Sequence, residues 1–71
     1  MTPDQLKRAS RLLYGNAAKL AVAIQRSPAT VFRLYRGDYP VAREIRDRII
    51  TSVRQRIRDL VNLLSDLGEK P

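Results

Sequence analysis

A Ser-Pro dipeptide set between two short runs of helical periodicity constrains this chain more than any other feature. Within Leu20–Gly37, LAVAIQRSPATVFRLYRG, the residues Leu20, Ala21 and Ile24 lie at i, i+1 and i+4. Val31, Leu34 and Tyr35 lie at i, i+3 and i+4 after the dipeptide, so each run has one apolar helix face. Faces this small must bury against each other. Ser27 is a preferred N-cap, and Pro28 then falls at the first helical position, where its missing N–H is no loss and its φ is already helical. Gly37 supplies a left-handed C′ residue, with Pro40 blocking continuation shortly after. The pattern predicts helices over about 17–25 and 28–36, joined by a short turn.

The second of these helices leaves Ala29, Thr30, Phe32, Arg33 and Arg36 off its apolar face, and no acidic residue occurs from Lys19 to Gly37. That composition suits a polyanion. The whole chain agrees: 14 Lys and Arg oppose 7 Asp and Glu, a formal net charge of +7 over 71 residues. Such an excess predicts attraction to nucleic acid. Most of the cations are Arg, whose planar fork matches phosphate and guanine edges bidentately.

A chain of this length makes one domain, close to the size at which a single core is marginal and oligomerisation often supplies further burial. It has no Cys and no His, which removes disulfides, thiol nucleophiles, Cys/His zinc sites and the usual general base. The carboxylates are scattered. Neither an enzyme, nor a metal or other cofactor, nor a small-molecule ligand is expected. The opening MTPDQLKRAS carries charge and lacks an apolar core of signal-peptide length, and no run approaches the roughly 18 apolar residues that cross a bilayer. A cytoplasmic protein, associated with the nucleoid of a bacterial or phage-infected cell, is the expectation.

The flanks extend the helical reading. Thr2, Pro3, Asp4 and Gln5 form a capping-box start, and Leu6, Ala9, Leu12 and Leu13 give a stripe that should lie against the core. Lys7, Arg8 and Arg11 face away from it. This predicts a first helix over about 3–13, ended at Gly15. Asn16 is an acceptable N-cap for the next helix, whose first N–H groups can bind a phosphate with Lys19 in support. After a short loop at Asp38, Tyr39 and Pro40, the segment from Val41 to Leu67 contains neither Gly nor Pro. Val41, Ile45 and Ile49 step by four and should complete the core. Glu44 and Arg48 are placed to pair at i, i+4 on its exposed side.

Further along, Ile50, Ile57 and Leu64 are seven apart, as are Val53, Leu60 and Leu67. Ile-rich a and Leu-rich d positions favour parallel two-stranded pairing. The fourth helix, about 41–67, is therefore expected to dimerise through 50–67. An antiparallel helix pair and a four-helix dimer core remain open alternatives, as does a monomer whose distal helix folds back on the first. GEKP should form a frayed tail.

The residues Ala21, Ile24, Ser27, Thr30 and Val31 resemble the helix-turn-helix of lambda-repressor and Cro-like DNA-binding proteins. The run Ser27-x-x-Thr30-Val31-x-Arg33, followed by Val41, Arg46 and Ile49, is similar in register to the lac-repressor headpiece. The resemblance covers about residues 5–50. It departs at Gln25 and Arg26, where the family usually has Gly and an apolar residue. It implies an all-α, four-helix, lambda-repressor-like domain with an extended C-terminal helix, acting as a small transcription regulator. Its 28–36 helix would enter the major groove, and a homodimer would bind double-stranded DNA at a palindromic operator.

On that reading Arg33 is the first candidate for a base contact, since Arg to guanine O6/N7 is the commonest specific pairing. Ser27, Ala29 and Thr30 are shorter and suit a thymine methyl or a phosphate. Phe32 either touches thymine or packs on a neighbouring helix. Asn16, Lys19, Arg26, Arg36 and Tyr39 are the candidate phosphate contacts, which set position and salt dependence. Two other functions fit the same charge: a helical protein-binding adaptor, and a non-specific architectural nucleic-acid protein.

Overall fold

The computed structural model describes residues 1–69 and shows an all-α chain of four helices with no strand among the described residues. Helix α1 (Pro3–Ala9) starts as its capping box dictates: Thr2 Oγ1 accepts from Gln5 N–H at 3.1 Å while Gln5 Oε1 accepts from Thr2 N–H at 2.9 Å. It does not run on as an α-helix to residue 13. Ser10–Tyr14 form a π turn, closed by Gly15 N–H donating to Ser10 C=O at 2.8 Å. Six positions after Leu6, Leu12 lies on the flank of the buried stripe, and it is 70% exposed rather than in the core. Ser10 is buried in its stead.

Helix α2 (Ala17–Ile24) and helix α3 (Pro28–Tyr35) are joined by Gln25, Arg26 and Ser27. Gln25 takes the left-handed conformation, φ 57° and ψ 46°. Its N–H and that of Arg26 bond back to the carbonyls of Val22 and Ala21, the paired pattern that closes a helix end. Ser27 then caps α3, its Oγ accepting from Thr30 N–H at 3.2 Å. Gly37, at φ +78°, ends α3 in the same way, with its N–H on Leu34 C=O and that of Asp38 on Arg33 C=O.

Helix α4 (Arg43–Asp66) begins two residues later than the periodicity suggests. Its length of 24 residues corresponds to about 36 Å, which accounts for most of the 45 Å long axis of the molecule. At its far end Gly68 N–H and Glu69 N–H bond to the carbonyls of Ser65 and Leu64, so the first two residues of the expected frayed tail are fixed by a helix cap. Lys70 and Pro71 lie outside the described residues.

The core is one cluster: Leu6, Leu20, Ala21, Ile24, Val31, Leu34, Ile45 and Ile49, each at most 3% exposed, with Val41, Leu13, Tyr14 and Tyr35 packed on its margin. Every helix contributes to it, but α4 does so only through its first two turns. Tyr14 Oη donates to Ser52 Oγ at 2.9 Å, which ties the π turn to α4 just beyond the core. Ile50 is half-buried. Val53, Ile57 and Leu60 still border Leu12 and Leu13 of the π turn, beyond which α4 projects past the other helices without folding back on α1, and Val53, Ile57, Leu60, Leu64 and Leu67 are between 38% and 70% exposed.

Candidate nucleic-acid interface

Burial of Val31 and Leu34 fixes the rotation of α3, so the opposite side of the helix must face out. Ala29, Phe32, Arg33 and Arg36 are exposed there, and Thr30 is half-exposed beside them. Ser27 is exposed at the helix start, but its hydroxyl is committed to the cap and lies 3.0 Å from Thr30 Oγ1. The five candidate base-contact residues therefore fall on one surface. Phe32 is on that surface and outside the core, 53% exposed, its ring meeting Tyr35 edge-to-face with centroids 6.0 Å apart. Tyr35 in turn carries Lys7 Nζ 5.9 Å above its ring.

The cations of this surface differ in how firmly they are held. Arg33 has no carboxylate within 4.0 Å among the described residues. Arg36 pairs with Asp38 at 3.0 Å, both largely exposed, a contact weak enough in water to be exchanged for a phosphate. Arg26 is more committed. Its guanidinium meets Glu44 at 2.9 Å and donates to the carbonyls of Ile24 and Gln25 at 3.4 and 3.2 Å. It braces the turn against the start of α4. Glu44 is thus occupied by Arg26 and not by Arg48.

A second group gathers at the N-terminus of α2. Asn16 Oδ1 accepts from Lys19 N–H at 2.9 Å, and the N–H groups of Ala17 and Ala18 have no intrahelical acceptor. Beside them lies a cleft of about 340 Å³ lined by Lys7, Ser10, Arg11, Gly15, Asn16, Ala17 and Tyr35. Lys7 and Arg11 face away from the core stripe of the first helix, and the π turn sets them next to the α2 N-terminus. Their role in this cleft has no local sequence signal, because it depends on how α1 packs on α2. The positive end of the helix dipole, two open N–H groups and two cations are features that favour an anion. Tyr39, 48% exposed in the loop after α3, completes the set of candidate phosphate contacts without a hydrogen-bond partner for its hydroxyl among the described residues.

The charge distribution follows the same division. Between Gln5 and Gly37 the chain has seven cations, Lys7, Arg8, Arg11, Lys19, Arg26, Arg33 and Arg36, and no acid. This region alone holds the equivalent of the whole formal net charge of +7. Among the described residues no group of acidic side chains is placed to hold a metal ion, and no helix is long and apolar enough to cross a membrane. The chain matches no known family model, no curated protein and no solved structure.

Proposed function

We propose that this chain is a sequence-specific DNA-binding regulator of transcription, reading the major groove with α3. The observation that carries the proposal is Arg33. It is an exposed guanidinium with no acid partner on a capped helix, in a stretch of the chain that contains no acid. Arg33 reads guanine, and Ala29, Thr30 and Phe32 supply short-range and apolar contacts to neighbouring bases. Lys7, Arg11, Asn16, Lys19 and Arg36 hold phosphates on either side and fix the register.

The exposed apolar row of α4 makes the active form a homodimer, and two copies bind a palindromic operator. Such a chain regulates by occupying a promoter, which needs no surface beyond the DNA-binding face, so repression in the manner of the Cro-like proteins of phages and mobile elements is the economical reading. One observation favours a second reading. The same apolar row would serve a protein adaptor whose long helix pairs with a different helical protein.

Selection of binding sites from random duplex DNA at about 150 mM salt, followed by sequencing, tests the proposal. Enrichment of a palindromic sequence is expected. Retention of DNA without an enriched motif would mean an architectural protein, and no retention would leave the adaptor.

A further inference from the structure

The distal half of α4 is divided by charge. Residues 50–58 contain Arg54, Arg56 and Arg58 and no acid, whereas residues 59–69 contain Asp59, Asp66 and Glu69 and no cation. Its apolar surface is divided as well. Near Asp66 the face is wide, with Val61, Leu63, Leu64 and Leu67 all between 37% and 70% exposed. Near Arg56 the helix row is narrower, but Leu12 and Leu13 of the π turn widen it into a groove of about 310 Å³ with Val53, Ile57 and Leu60.

We propose that two copies of this chain pair through residues 50–67 in antiparallel orientation, the acidic end of each α4 lying in the groove between the π turn and α4 of the other. The proposal rests on the homodimer read above and specifies its geometry. Centred between Arg58 and Asp59, this register sets Ile57 against Leu60 of the second copy, Val53 against Leu64, and Ile50 against Leu67. All six heptad residues are thereby matched, a positions against d positions, and each basic half faces an acidic half.

Parallel pairing does the opposite. It brings Arg54, Arg56 and Arg58 of both copies to one level, with Asp59 the one acid within a turn of them, and it leaves the Leu12–Leu13 groove of each copy without a wide apolar face to cover it. Complementary charge between paired surfaces fixes their orientation and register. It outweighs here the weaker preference expressed by Ile at a and Leu at d.

Spacing supplies an independent argument. Helix α4 is anchored in the core at Ile45 and Ile49. At about 1.5 Å per residue, the antiparallel register sets the midpoints of the two Ile45–Ile49 anchors about 34 Å apart, of the order of the distance between half-sites one DNA turn apart.

The chain has no cysteine, so single thiols can report the orientation. Val53→Cys and Leu64→Cys, both at positions outside the core, are purified separately, checked for retained helicity and melting temperature, and equilibrated in glutathione buffer alone and as an equimolar mixture. The expected result is a covalent dimer in the mixture, carrying one copy of each variant, and little or none from either variant alone. Cross-linking of Val53→Cys with itself as readily as in the mixture overturns the antiparallel arrangement, as does a two-chain mass by sedimentation with no cross-linking at all. A wild-type mass of one chain at micromolar concentration instead overturns the dimer beneath it.

Discussion

Arg48 of α4 donates to the carbonyl oxygen of Ala23 at 3.3 Å, and so joins the long helix to the last turn of α2. A second nitrogen of the same guanidinium reaches the Gln25 side-chain oxygen at 3.4 Å. With Arg26 bonded to Glu44, this ties the first two residues of the three-residue turn to α4. A charged donor on a helix C-terminal carbonyl is favourable by about 1 kcal/mol. Arg48→Ala should lower stability by about that amount, a fall in melting temperature of roughly 4–8 °C for a domain of this size. Thermal unfolding followed by circular dichroism measures it.

Gln25 carries the cost of its left-handed backbone, of order 1 kcal/mol for a residue with a Cβ. Gln25→Gly should therefore raise the melting temperature by a few degrees, since the strain relieved exceeds the long hydrogen bond to Arg48 that is lost. Gln25→Val, with branching at Cβ, should lower it. Equal destabilisation by both variants would mean that the side chain and not the backbone conformation matters at this position.

Arg33 in the last turn of α3 and Arg36 at its C-cap lie three residues apart and should separate cleanly in binding. Arg33→Ala should cost about 1–3 kcal/mol on the selected site and flatten the sequence preference, whereas Arg36→Ala should weaken all sequences alike and reduce the slope of log K against log salt by about 1. Fluorescence anisotropy with specific and random duplexes at several salt concentrations gives both quantities. Equal losses on the two duplexes for both variants would count against α3 as the reading helix.

Much of this arrangement is legible before any coordinates, because its punctuation is local. Thr2 with Gln5, Asn16, Ser27 with Pro28, and Gly37 each act within four residues of themselves, and the structure uses every one as a helix start or stop. The core residues are equally readable, since Leu20, Ile24, Val31, Leu34, Ile45 and Ile49 repeat at helical spacing. What escapes the sequence is set by packing at a distance. The π turn at Ser10–Tyr14 has no composition of its own, and it is where Leu12 is found exposed and Ser10 buried. The partners of Arg26 and Arg48 lie 18 and 23 to 25 residues away, so an i, i+4 pairing of Glu44 with Arg48 is the natural expectation and yet neither residue makes it.

The cleft at the α2 N-terminus gives a further prediction. Lys7 and Arg11 line it with Asn16, so Lys7→Ala and Arg11→Ala should each reduce the salt slope of DNA binding by about 1 while leaving the preferred sequence unchanged. Arg8, which does not line the cleft, serves as the control. Arg8→Ala producing the same effect as the other two would show that general charge, and not this cleft, attracts the backbone.

Ile57 and Leu60 make the strongest test of how the domain's stability and its assembly are related. Both are about half exposed within one chain, 54% and 50%, and neither belongs to the core cluster. An aspartate at either position therefore removes little from the fold of the single chain, but it places a charge at the centre of the paired helices in place of an apolar contact. Desolvating a carboxylate there costs several kcal/mol, more than a micromolar dimer of about 8 kcal/mol can lose while remaining paired at working concentrations. Ile57→Asp and Leu60→Asp should sediment as single chains, keep helical circular dichroism, and bind the palindromic site much more weakly than wild type. Their affinity for an isolated half-site should hardly change. A variant that still sediments as two chains would remove α4 as the interface, and one that loses its helicity altogether would mean that the core alone cannot sustain the fold.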